Sequence, residues 1–206
     1  MNTMQTPELE EATFYNDLPQ TLEKAWLLLE DAARNGHSPM HTPVLVSCGK
    51  DHTARARTVV LRDTVRTTRE LHIHTDSRSA KVEELHCQPT CQVLTYHPDE
   101  KIQLRLDATA IIHQENDVAR EIWAQAPLSS RCCYLAQEAP GSSAGIPTSG
   151  LAAELEHRVP EAAESEAGFC YFTAVIIKVE RLEWLYLAAQ GHRRAQVNWA
   201  AAGAVA

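Results

Sequence analysis

The sequence predicts a mainly β fold, six antiparallel strands closing a small barrel with helices packed outside it, and three observations carry that prediction. Short β-rich segments follow one another from residue 43 onward, "TPVLVSCG", "ARARTVVLR", "RELHIHT", "CQVLTYH" and "IQLRLDATAIIH", with polar or turn-like residues between them. Several alternate with period two. In "IQLRLDATAII", Ile102, Leu104 and Leu106 face one way and Gln103, Arg105 and Asp107 the other. Few helical segments interrupt the strands, as expected of an antiparallel barrel rather than a strand–helix–strand repeat.

Taken in order, the first element is a helix over residues 20–35. Leu22, Ala25, Trp26, Leu29 and Ala33 share one face and Gly36 is placed to end it. A short helix over about Ala80–His86 follows the third β segment, and a helical block covers Glu115–Gln137 with Val118, Ile122 and Trp123 on its apolar side. "EAPGSSAGIPTSG" reads as a mobile loop. The acidic stretch "LAAELEHRVPEAAESEAG" reads as partial helix and loop, and "FCYFTAVIIKVERLEWLYL" and "HRRAQVNW" as closing strands. The expectation is one domain over residues 1–206, with a helical arm over 1–40 and a flexible acidic, Gly/Ser-rich loop region over 138–168.

The 206 residues suffice for one substantial core. Hydrophobic content of 44% and charged content of 22% are those of an ordinary globular protein. No apolar run is long enough to span a bilayer, and the acidic, polar N-terminus reads as neither a secretory signal nor a transit peptide. A cytoplasmic protein that acts on no membrane is expected. The net charge of −8 argues against nucleic-acid binding. Yet basic residues concentrate between Arg55 and Arg105 while both flanks are acid-rich, which suits a small anionic ligand.

That ligand has a candidate site. In "HTDSRSAKVEELH" a strand ends in hydroxyls just before a helix with Lys81 in its first turn. Hydroxyls, basic side chains and a helix N-terminus together suit phosphate, whereas the plainer reading is a capped surface helix with a solvated lysine. "RTVVLR", Arg57–Arg62, reads as one strand with a cation at each end. Arg57, Val59 and Leu61 fall on one face, and Thr58, Val60 and Arg62 on the other. Alone, it reads as an edge strand with solvated arginines.

The six cysteines include a Cys87/Cys91 pair with C-x₃-C spacing and adjacent Cys132 and Cys133. Without a second matched pair this predicts reduced, mostly buried thiols rather than zinc. None of the ten histidines forms a ligand-spaced motif such as H-E-x-x-H, and no metal site is expected. Trp26, Trp123 and Trp199 read as core or interface residues. The serines of "APGSSAGIPTSG" lack a G-x-S-x-G elbow, so a serine hydrolase is disfavoured.

Taken in sequence, "ARARTVVLR", "HTDSRSAKVEEL", "CQVLTYHPDEKIQLRLDATA", "REIWAQAPLSSR" and "LEWLYLAAQGHRRAQ" resemble the pyridoxamine 5′-phosphate oxidase-like FMN-binding split barrels, over about Pro43–Trp199. The likeness is to divergent members more than to typical vitamin B6 oxidases. It implies a six-stranded split barrel, FMN as cofactor and a homodimer with FMN at the subunit interface. The residues it implies along the flavin are Arg57, Thr58, Val59, Val60, Leu61 and Arg62, then His74 and Thr75 at a strand end. Ser79 and Lys81 match phosphate ligands. Ala80 replaces an arginine, for which Arg78 would compensate.

The resemblance further implies that Gln103 bonds the isoalloxazine, that Trp184 lines its slot, and that Ser130 reaches the site from the partner subunit. Arg193 or Arg194 would complete it. Two positions that grip the substrate phosphate in the B6 oxidases correspond to Ile122 and Ala126 here. FMN binding is therefore better supported than pyridoxamine phosphate oxidation. The resemblance implies an oxidoreductase acting on a small molecule; the alternatives are a flavin-binding or storage protein without turnover and a haem-handling relative. Redox chemistry would belong to the flavin, and no protein nucleophile or acid–base pair is required.

Overall fold

The computed structural model describes residues 13–189 and 191–199. Among the described residues, eight strands form one antiparallel sheet: β1 (Val44–Cys48), β2 (Ala54–Thr58), β3 (Leu61–Val65), β4 (Glu70–Asp76), β5 (Thr90–His97), β6 (Ile102–Gln114), β7 (Phe172–Tyr186) and β8 (Arg193–Asn198). Their order is β2-β1-β5-β6-β7-β4-β3, with β8 also paired to β7. The mainly β architecture with flanking helices is as expected. The count is eight rather than six.

Two features raise the count. "RTVVLR" is not one strand: β2 ends at Thr58, paired with Val44, and β3 begins at Leu61, paired with Ile73. Between them, the Val59 and Leu61 N–H groups donate to the carbonyls of Pro43 and His41. Two adjacent valines carry no turn signal, so hydrophobic pattern alone does not reveal the break. The second feature is β7, which is shared. Its first half, Phe172–Lys178, pairs with β4, and its second half, Arg181–Tyr186, pairs with β8. β6 pairs along both halves, with a register shift at Asp107/Ala108. The sheet therefore splits about Glu180, where an extra residue re-aims the strand.

α1 (Leu18–Arg34) starts where the Asp17 side chain accepts from the Gln20 N–H at 2.8 Å, with proline in its first turn. It buries Ala25, Trp26, Leu28, Leu29 and Ala32 against the barrel interior, in one core with Leu45, Leu104, Val175 and Trp184. The predicted arm is therefore part of the core over these residues; residues 1–12 lie outside the described part.

The predicted helical block at 115–137 is three pieces: α3 (Asp117–Gln125), α4 (Leu128–Arg131) and a 3₁₀ turn, Cys132–Leu135. Pro127 forces the break, because it carries no N–H and excludes the preceding residue from helical geometry. A second core fixes these pieces to the start of β7, through Trp123, Tyr134, Phe169 and Phe172. Residues 138–168 form irregular backbone apart from α5 (Ala162–Ser165) and the start of a 3₁₀ segment. Of the six free cysteines only Cys91 is buried, so the expectation of mostly buried thiols is corrected. Hydrophobic context cannot protect Cys87, Cys133 or Cys170, which lie on exposed turns and helix ends.

Candidate functional site

β4 ends at Asp76, and α2 (Ala80–Cys87) begins after a tight turn. Ser79 is the N-cap residue, but its hydroxyl makes no capping bond. It accepts instead from Lys81 Nζ at 2.6 Å, and Thr75 Oγ1 accepts from the same ammonium at 2.9 Å. Thr75 and Ser79 are buried and Lys81 is half-buried. Among the described residues no carboxylate pairs with Lys81. Burial holds its pKa below the ordinary lysine value, and the nearby Arg57 cation pushes it the same way.

Arg57 reaches this corner from β2. Its guanidinium donates to Ser47 Oγ and, at 2.7 Å, to Glu84 one turn further along α2. Arg57, Thr75, Ser79 and Lys81 thus converge as the sequence predicts, with Glu84 as an unforeseen counter-charge. Arg78 does not join them. Its guanidinium donates to both oxygens of the buried Asp76 carboxylate, at 3.0 and 2.7 Å, and to the carbonyls of Ala136 and Gln137. It also lies 3.7 Å over the Tyr171 ring. These bonds tie the turn to the helical segment.

His74 and Thr75, though adjacent, point to opposite faces of β4, as the strand pleat requires. Thr75 faces Lys81. His74 packs edge-on against Phe172, ring centroids 5.0 Å apart, and lines a cavity of about 360 Å³. Burial, and secondarily the Arg62 and His72 charges, push the His74 pKa down to about 4. The imidazole is therefore neutral near neutrality. Leu61 and Arg62 from β3 line the same space, as do Ile122, Ala126 and Ser130 from the helical segment. Ser130 therefore lines a cavity of its own chain, beside Arg62, rather than only a partner's site. The helical wall is held by Arg131, buried and donating to the Ala124 and Ala126 carbonyls, to Ser165 and to Glu166.

Sequence reasoning missed His72 and Asp63, which also line this cavity. His72 was findable, since strand alternation puts it on the face of His74. His41 and Gln125 come from the α1–β1 connection and the end of α3, where no local pattern signals them.

The remaining predicted residues divide differently. Gln103 lies opposite Leu185, and Leu185 opposite Arg194, so they form a cross-strand row over β6, β7 and β8. Arg194 is exposed, 3.7 Å from Glu183. Arg193 donates to Asn16 and lies over the Tyr15 ring. None of these lines the Arg62 cavity. Trp184 is 1% exposed within the barrel core, edge-on to Phe14 and stacked on Tyr186. Its alternation with Leu185 turns it inward, into the barrel core. Thr58 ends β2 exposed, and Val59 and Val60 lie half-buried in the crossover.

Residues 23–114 match the family model for the pyridoxamine 5′-phosphate oxidase FMN-binding domain. Among solved structures, a pyridoxamine 5′-phosphate oxidase-related, FMN-binding protein from Nostoc punctiforme superposes with a TM-score of 0.65 at 18% identity, over 92% of this chain and 93% of that one. PhzG from Burkholderia lata, solved with tetrahydrophenazine-1-carboxylic acid, gives 0.64 at 18% identity over 90% of each chain. A Clostridium acetobutylicum protein related to general stress protein 26 gives 0.54 at 10% identity, over 88% and 96%. These likenesses establish the split-barrel fold. No curated protein matches the chain by sequence.

Proposed function

We propose that this chain, whose residues 23–114 match the pyridoxamine 5′-phosphate oxidase FMN-binding domain, binds FMN and works as an oxidoreductase on a small molecule. One observation carries the reading: Lys81 is a half-buried ammonium with hydroxyl partners and no carboxylate. Burying a cation is costly unless an anion compensates it. A phosphate seated on Lys81, Thr75 and Ser79 supplies that anion, and would relieve the depression of the lysine pKa. Arg57 adds a second cation, partly offset by Glu84.

FMN supplies hydride and electron chemistry when bound. The chain's own residues bind its phosphate, orient it beside β4 and keep water from the strand end. Gln103 and Arg194 share a row on the β6–β8 surface, apart from the Arg62 cavity. In this reading a second copy of the chain brings that row to the flavin, and the active unit is a homodimer.

The test is FMN titration of purified protein by flavin absorbance, with sedimentation of the loaded form. About one FMN per chain on a dimer is expected, with uptake weakened in Lys81→Ala. Protein that takes up no flavin, or a loaded form that sediments as a monomer at micromolar concentration, would overturn the respective half of the proposal.

A further inference from the structure

We infer that the cavity beside Arg62 receives a small carboxylate carried on a flat, apolar body, and not a phosphate monoester. The inference rests on the flavin reading only in casting that ligand as the substrate; binding itself needs this chain alone.

The Arg62 side chain makes no hydrogen bond or ion pair with any described residue. It is therefore an exposed, unpaired cation at the mouth of a half-open cavity. The other ionisable groups there are Asp63 and three histidines. His41 Nδ1 is bonded to the Ala32 carbonyl at 2.7 Å. His72 Nε2 is buried 3.7 Å from the Glu70 carboxylate, too far for a hydrogen bond. His74 is held neutral by burial.

The cavity thus offers one full positive charge, with a carboxylate close by. A phosphate dianion placed there would face a single guanidinium and the Asp63 charge, without the second cation found at Lys81. A carboxylate matches the guanidinium fork in charge and in geometry, two parallel N–H···O bonds to one group. Leu61, Ile122, Ala126 and Pro127 supply apolar wall. The volume of about 360 Å³ suits a two- or three-ring body. Ser130 and Gln125 add hydroxyl and amide groups that can orient a ring substituent without adding charge. The two corners thereby differ in their cations: Lys81 with Arg57, the latter paired to Glu84, at one, and Arg62 alone beside Asp63 at the other.

The experiment uses three probes with one body, 2-naphthoate, 2-naphthyl phosphate and 2-naphthol, titrated by fluorescence into wild type, Arg62→Met and Arg62→Lys, each with and without FMN. The reading is Arg62-dependent binding, the part of each affinity lost in Arg62→Met, so phosphate bound at Lys81 does not confuse it. In wild type, 2-naphthoate is expected to show the largest Arg62-dependent affinity, falling by roughly tenfold or more in Arg62→Met and partly restored in Arg62→Lys. Greater Arg62 dependence for the phosphate ester, equal affinity for naphthol and naphthoate, or no binding of any probe would overturn the inference. Naphthoate binding in protein that takes up no FMN would defeat the flavin reading and leave this one standing. FMN uptake without naphthoate binding would do the reverse.

Discussion

Arg78 and Lys81 flank the same serine, and the fold uses them in opposite ways. Arg78 is bound on both sides of its fork to Asp76, capped by two carbonyls and laid over Tyr171. Lys81 touches only hydroxyls. A cation with four hydrogen bonds to the protein holds the chain together; one bonded only to hydroxyls is, on the function proposed above, held ready for a ligand. Position in the sequence does not distinguish them, since both sit in "SRSAK". The partner does.

The largest effect should come from the structural member of the pair. Arg78→Ala leaves Asp76, 7% exposed, without its counter-ion. Loss of about 3–5 kcal/mol of stability is expected, measured by chemical denaturation, with FMN uptake by the remaining folded protein nearly unchanged. A stable Arg78→Ala protein with badly weakened flavin binding would erase the contrast.

Next in size is the pH response of His74, whose pKa falls from its ordinary 6.5 to about 4 on folding. Between those values the unfolded chain binds a proton that the folded chain refuses. Stability is therefore full above about pH 6.5 and lost as pH falls toward 4, by on the order of 3 kcal/mol. His74→Asn should flatten that slope, so wild type and variant denaturation curves measured at pH 7 and 4.5 would converge in pH dependence. An unchanged slope would place the acid sensitivity elsewhere.

Lys81→Ala should then weaken FMN binding by about 1.5–3 kcal/mol, roughly ten- to a hundredfold, while thermal stability is kept or slightly raised, because a poorly solvated cation is removed. Ser79→Ala, which deletes one neutral hydroxyl from the same corner, should cost about 1 kcal/mol of FMN affinity. Both are read by flavin titration. If Ser79→Ala exceeded Lys81→Ala, the hydroxyls rather than the charge would define the site.

Much of this was legible from residues alone. The strands of β5 and β6 follow from strict alternation, and α2 from its placement after "TDSRS". The convergence of Thr75, Ser79 and Lys81 is local, within seven residues, so a local pattern can specify it. What escaped depends on distant partners. The break in "RTVVLR" is imposed by β1 and β4 competing for its two ends. The commitment of Arg78 needs carbonyls at Ala136 and Gln137, far along the chain. The inward turn of Trp184 is set by its register against Leu104 and Ala195, which no single strand reveals.

β7 also governs when the fold can form. Residues 172–186 pair with β4, β6 and β8, so two earlier strands, β4 and β6, await a segment made late in synthesis. Until it emerges, β4 and β6 present naked, apolar-flanked edges open to other chains. Such long-range closure also predicts slow folding. A chain ended at residue 171 should accumulate in aggregates, as sedimentation of freshly made protein would show, whereas one ended at residue 189 retains the strand and should remain dispersed. The same strand that joins the two half-sheets is thus the clock for their assembly.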